Sequence, residues 1–77
     1  MLRHEVYKCI VMAVKSGKIK EPFTENDFRK ACPGFGEGTY RAFLHKHAVG
    51  NGKTTELFER ESPGRLRLLR PFKYGFG

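Results

Sequence analysis

The sequence predicts an α+β domain in which three short helices precede a two-stranded β-hairpin. Apolar residues recur at helical spacing as far as residue 48, Gly- and Pro-containing turns interrupt that pattern, and strand-like alternation begins only after residue 55. With 77 residues, one domain spanning residues 1–77 is the default expectation.

The first helix is predicted from about residue 2 to 16. Its apolar face holds Leu2, Val6, Cys9, Ile10, Ala13 and Val14. Val11 and Met12 lie on the flanks of that face and widen it, and Gly17 provides a C-terminal stop. So wide an apolar arc indicates a helix packed on two sides, or a helix that contributes to a dimer contact.

The second and third helices are predicted at about 25–31 and 37–48. Thr24 is a candidate N-cap whose hydroxyl accepts from the backbone N–H of Asp27, and Pro33 ends the second helix. In the third helix, the inward face is predicted to hold Tyr40, Phe43, Leu44 and His47.

The hairpin is predicted at about 55–70, with strands at 55–61 and 65–70 around the turn Ser62-Pro63-Gly64. Leu66 and Leu68 share one face, and Arg65 and Arg67 share the other. Phe58 is expected to point away from Leu57 and Glu59. Two helices joined by a short glycine-containing turn and followed by a hairpin form the plan of a winged helix-turn-helix, with the hairpin as the wing.

The chain is basic, with a formal net charge of +7, and its second half is the more basic. Residues 39–77 carry eight Lys/Arg and three Asp/Glu. Such a field attracts polyanions such as nucleic acid or an acidic protein. The two cysteines, the absence of a signal-peptide pattern and the shortness of the apolar run Cys9–Val14 predict a cytoplasmic protein with no membrane partner.

The candidate nucleic-acid-binding residues lie on the outer face of the third helix and on the wing. On that helix face, small side chains allow close approach to a groove, and long cationic ones reach base edges or phosphates. A solvated basic helix face and an edge strand protected by charge are the structural alternatives. The candidates are Thr39, Arg41, Ala42, His45, Lys46, Lys53, Arg60, Arg65 and Arg67.

Catalytic and metal-binding patterns are missing from the sequence. Cys9, Cys32, His45 and His47 lack the spacing of a structural zinc site, and no nucleophile–base pair or paired carboxylates stand out. We therefore expect no enzyme activity, no metal and no cofactor. The aromatic, basic tail 71–77 is expected to cover the base of the core, or alternatively to stack on bases.

Two segments resemble a known family. Glu37-Gly38-Thr39-Tyr40-Arg41 followed by Leu44 resembles the E-x-T-[IVY]-R start of the recognition helix in many winged-helix proteins. Phe58-Glu59-Arg60 and Gly64-Arg65-Leu66-Arg67-Leu68 resemble their wing. The chain is most similar to the small winged-helix domains found with restriction endonucleases and related bacterial defence proteins.

The resemblance implies binding of double-stranded DNA, with the third helix in the major groove and the wing on the backbone. Winged helices also serve as protein-interaction modules, so fold alone does not fix function. Docking of an acidic partner, dimerisation through the first helix and RNA binding remain alternatives. The expected partners are double-stranded DNA and either a larger protein or a second copy of the chain.

Overall fold

The computed structural model describes residues 4–50 and 55–76, and it has the predicted α+β order. The helices are α1 (Glu5–Lys15), α2 (Glu25–Ala31) and α3 (Glu37–Lys46). They are followed by β1 (Phe58–Ser62) and β2 (Arg65–Leu68), which pair antiparallel as a hairpin, the wing. Three helices followed by this hairpin are the arrangement of a winged helix-turn-helix. Across the described ranges, no helix is long and apolar enough to cross a bilayer.

One apolar core joins the helices to the inner face of the wing. Leu66 and Leu68 are buried while Arg65 and Arg67 are exposed, as the alternation predicted. The connector between α1 and α2 also reaches the wing, because Phe23 and Leu66 exchange two backbone hydrogen bonds of 2.7 and 2.8 Å. The core residues are Tyr7, Ile10, Val11, Ala13, Ile19, Phe23, Phe28, Cys32, Tyr40, Leu44, Ala48, Leu57, Phe58, Leu66 and Leu68.

The turn between α2 and α3 is fixed by local hydrogen bonds. The predicted cap at Thr24 is confirmed as a capping box, in which Thr24 and Asp27 each bond the other's backbone N–H. The Tyr40 hydroxyl donates to the Cys32 carbonyl at 2.6 Å and accepts from the Phe35 N–H at 3.1 Å. Tyr40 therefore satisfies two backbone groups of the turn that sets the angle between α2 and α3.

The residues after Arg70 fold back onto α1, so α1 is packed on two sides, as its wide apolar arc predicted. The Tyr7 hydroxyl accepts from the Lys73 N–H at 2.8 Å, and Lys15 Nζ donates to the Phe76 carbonyl at 2.6 Å. Phe72 and Phe76 pack against the core. These contacts confirm that the tail covers the core.

Several predicted details were wrong. The predicted apolar face of α1 does pack on the core, with Ile10 and Ala13 buried and Val6, Cys9 and Val14 half-buried against it. The prediction left out Tyr7, which is buried where the tail returns to α1, and it placed on the flank Val11, which is fully buried. Leu57, predicted on the face opposite Phe58, is buried as well, and it precedes the regular strand β1.

The predicted element ends also need correction. The start predicted at Leu2 lies outside the described residues, and within them α1 begins after a non-helical His4. The third helix ends at Lys46 rather than 48, since the segment that follows pairs with the wing: Leu57 N–H donates to the His47 carbonyl, and Ala48 bridges Phe58. The strands predicted at 55–61 and 65–70 are shorter, at Phe58–Ser62 and Arg65–Leu68.

Candidate nucleic-acid interface

The exposed surface of α3 divides into a small-residue crest with a polar flank on each side. Tyr40 and Leu44 are turned into the core, so Gly38 and Ala42 lie on the outer crest and carry almost no side-chain bulk. Arg41 lies on one flank with 77% of its side chain exposed. A helix with this profile can approach a groove closely, with long donors at its sides.

The wing is tied to α3 on the Arg41 flank. Arg60 Nη2 lies 2.9 Å from His45 Nδ1. A guanidinium has only donors, so in this hydrogen bond Arg60 donates and His45 Nδ1 accepts. His45 is the fourth residue after Arg41, one helical turn along α3, so the structure brings Arg41, His45 and Arg60 onto one continuous surface.

The outer face of the wing is largely balanced in charge. Arg67 contacts Glu59 Oε1 at 2.5 Å and Glu61 Oε2 at 2.7 Å. Arg65 is exposed, and no carboxylate among the described residues lies within ion-pair distance of it. The two wing arginines predicted to bind nucleic acid therefore differ: Arg65 is available to an anion at once, and Arg67 must first exchange two carboxylates.

The opposite flank of α3 faces α1 across a groove of about 260 Å³. Thr39, Ala42 and Lys46 line it from α3, and Val6 lines it from α1. Thr39 is half-buried and lines this groove. Thr39 and Lys46 are thus separated from the flank that holds Arg41 and His45.

Sequence reasoning did not predict an ion-pair network that joins α2 to the first turn of α3. Arg29 bonds Glu25 at 2.9 Å on its own helix and also bonds Glu37 in the first turn of α3. The Arg29 guanidinium lies 5.0 Å from the Tyr40 ring centroid, and its bonds lower the pKa of Glu37. Glu37 also lies 3.5 Å from Arg41 Nε. The spacing of Glu25 and Arg29 by four residues was the available signal.

Two other basic residues have structural partners. Arg70 bonds both carboxylate oxygens of Glu21 at 2.6 and 2.9 Å and stacks over the Phe72 ring, so it fastens the end of the wing to the α1–α2 connector. Lys15 is held by the tail. Of the predicted site residues, Lys53 lies outside the described residues.

The cysteines and histidines do not form a metal centre in the described part of the chain, where no group of three or more His, Cys, Asp or Glu side chains could hold an ion. Cys32 is fully buried, and burial together with the adjacent Cys9 thiol raises the pKa of Cys32 to about 12. It therefore stays a neutral thiol and behaves as a small apolar core residue.

Comparison with known proteins adds no identification. No family model matches the chain, and no curated protein or solved structure matches it at a significant level.

Proposed function

We propose that the chain binds double-stranded DNA through α3 and the wing, without catalysis. The observation that carries this proposal is the Arg60–His45 hydrogen bond, which joins the wing to the exposed flank of α3 and makes one basic surface from two elements. In this arrangement Arg41, Ala42 and His45 enter the major groove, and Arg60 and Arg65 contact phosphates.

The other candidate residues have secondary roles in this proposal. Lys46 and Thr39 lie on the α1 side of α3, where they can contact the opposite phosphate strand. Arg67 acts mainly by neutralising Glu59 and Glu61, because an unpaired carboxylate on the wing would repel a phosphate.

A salt series tests the proposal. Affinity for a random-sequence duplex is measured across salt concentrations, with single-stranded RNA in parallel. A handful of phosphate contacts gives a slope of log K against log salt of roughly −3 to −6, because each contact contributes about −0.9. A flat response, or equal or tighter binding of the RNA, overturns duplex binding as the function.

Two variants then separate the roles within the surface. Arg65→Ala weakens binding to all duplexes equally, while Arg41→Ala also reduces sequence preference, because an arginine contact to a base is worth about 1–3 kcal/mol of discrimination. Lys73→Ala is the matched control, since Lys73 is an exposed tail residue outside α3 and the wing. If Arg41→Ala behaves like Lys73→Ala on every sequence tested, α3 does not contact the bases.

A further inference from the structure

A second surface lies between α1 and α2, away from the proposed DNA interface. It is a groove of about 290 Å³, called here the α1–α2 groove, and no residue of α3 or the wing lines it. Its walls are Cys9, Met12, Ala13, Ser16, Lys18 and Ala31. A molecule bound in this groove would leave the outer face of α3 free.

The size and chemistry of the groove fit one large apolar side chain. Pockets that hold drug-sized ligands run from about 300 to 1,000 Å³, so this groove lies at the lower limit of that range. Most of its lining is aliphatic or sulfur-containing, and Met12 is 53% exposed, the largest exposed fraction among the large apolar side chains described. Methionine adapts its shape to a partner and is common on surfaces that bind peptides.

The edge of the groove is positive. Lys18 lines it, Lys8 lies one helical turn before Met12, and Lys30 is next to Ala31. Within the described ranges, none of these three lysines has a carboxylate at ion-pair distance. Most arginines differ in this respect, since Arg29, Arg41, Arg67 and Arg70 all pair with carboxylates.

The nearby acids do not neutralise these lysines. Glu25 is paired with Arg29, and Asp27 is held in the capping box with Thr24. Glu5, three residues before Lys8 on α1, forms no ion pair with it. The lysines near this apolar groove are therefore free to pair with the negative charges of another molecule.

We infer that the α1–α2 groove docks an acidic segment of a partner protein, with one large apolar side chain seated against Met12 and flanking carboxylates on Lys8, Lys18 and Lys30. A nucleic-acid backbone carries the right charge but has nothing to match the apolar lining. A second copy of this chain is disfavoured because its net charge is +7 and the same lysines would face each other.

A peptide selection tests this inference on the full chain. A random dodecapeptide library is selected against the immobilised protein, and the enriched peptides are synthesised and titrated by fluorescence anisotropy. We expect enrichment of sequences that combine Asp or Glu with Leu, Phe or Met. Met12→Glu and Lys18→Glu should each weaken binding by roughly tenfold or more, because they place a carboxylate in the apolar groove or at its edge.

The matched controls carry the same charge changes elsewhere. Val49→Glu alters another exposed apolar residue and Lys73→Glu another exposed lysine, and both should bind the peptides within about twofold of the parent. Circular dichroism verifies the fold of each variant, and Lys18→Glu, outside the helices, keeps the test valid if Met12→Glu unfolds.

Three outcomes overturn the inference. The selection enriches no acidic–apolar peptides, or the groove and control variants lose affinity equally, or peptide-induced NMR shifts fall outside α1, α2 and their connector. A random duplex that shifts the groove residues in the same NMR experiment would instead identify nucleic acid as the occupant.

Discussion

At the level of single residues, Arg67 balances the negative charge on the outer face of the wing. This side chain contacts both Glu59 and Glu61, so one arginine is shared between two carboxylates of the wing. Exposed pairs of this kind contribute little to stability, about 0–1 kcal/mol, and they can be exchanged for a phosphate. Releasing Arg67 should therefore favour DNA more than it harms the fold.

The first prediction follows from that exchange. Glu61→Gln should raise duplex affinity at low salt by about two- to fivefold, because Arg67 then loses one of its two carboxylate partners. The measurement is a duplex titration of parent and variant. Glu5→Gln makes the same change in net charge on α1, and an equal gain there would attribute the effect to overall charge and not to Arg67.

A second residue, Glu21, predicts a pH dependence of stability. The Arg70 guanidinium, and then the Leu68 N–H at 2.6 Å, hold the pKa of Glu21 below its usual range. The ionised form therefore stabilises the fold above the unfolded pKa of about 4.3, and this contribution is lost as the pH falls through the lower folded pKa.

Glu21→Gln should accordingly lower Tm near neutral pH by about 4–8 °C, for a loss of about 1 kcal/mol. At about pH 3 the difference from the parent should shrink, because the parent carboxylate is then becoming protonated as well. Thermal unfolding followed by circular dichroism at both pH values checks this. If the Tm difference between the parent and Glu21→Gln stays constant with pH, the negative charge of Glu21 does not contribute to stability.

At the level of elements, sequence periodicity identified the buried faces of α3 and β2 but not which side chains meet. The 3.6-residue pattern placed Tyr40 and Leu44 correctly, and alternation placed Leu66 and Leu68. The Arg60–His45 contact joins residues 15 apart and the Arg70–Glu21 pair residues 49 apart. Such pairings depend on how elements pack, and a single sequence carries no local signal for them.

The turn between α2 and α3 provides the prediction at this scale. Tyr40→Phe keeps the buried ring but leaves the Cys32 carbonyl and the Phe35 N–H without the partner they have in the parent. The cost should be about 1–3 kcal/mol, or a fall in Tm of about 4–24 °C. The control is Tyr74→Phe, whose hydroxyl makes no hydrogen bond among the described residues and whose removal should leave Tm unchanged. If Tyr40→Phe has the same Tm as that control, water replaces the Tyr40 hydroxyl with no loss of stability.

At the level of the whole molecule, the chain closes on itself. The tail after Arg70 returns to the helix that begins the described chain, where Phe76 lies 5.6 Å from the Tyr7 ring and Tyr74 stacks on His4 at 3.7 Å. A domain this small buries only about 60% of its unfolded surface, so these extra aromatic rings matter to its stability. Composition alone could not separate this role from base stacking, because the same Phe, Tyr and Lys residues suit both.

Phe76→Ala distinguishes the two roles. The ring is half-buried against Tyr7, so its loss should cost about 1–2 kcal/mol and lower Tm by about 5–15 °C. Binding of duplex and of single-stranded DNA, measured at a temperature where both proteins are folded, should stay within about twofold of the parent. If the ring stacked on a base, its removal would instead cost about 1–3 kcal/mol of single-strand affinity.

Tyr74→Ala is the matched comparison, because Tyr74 is the most exposed ring of the tail at 42% and the one best able to reach a base. If either variant keeps the parent Tm but binds single-stranded DNA more weakly, the tail contributes to DNA binding and not to core packing.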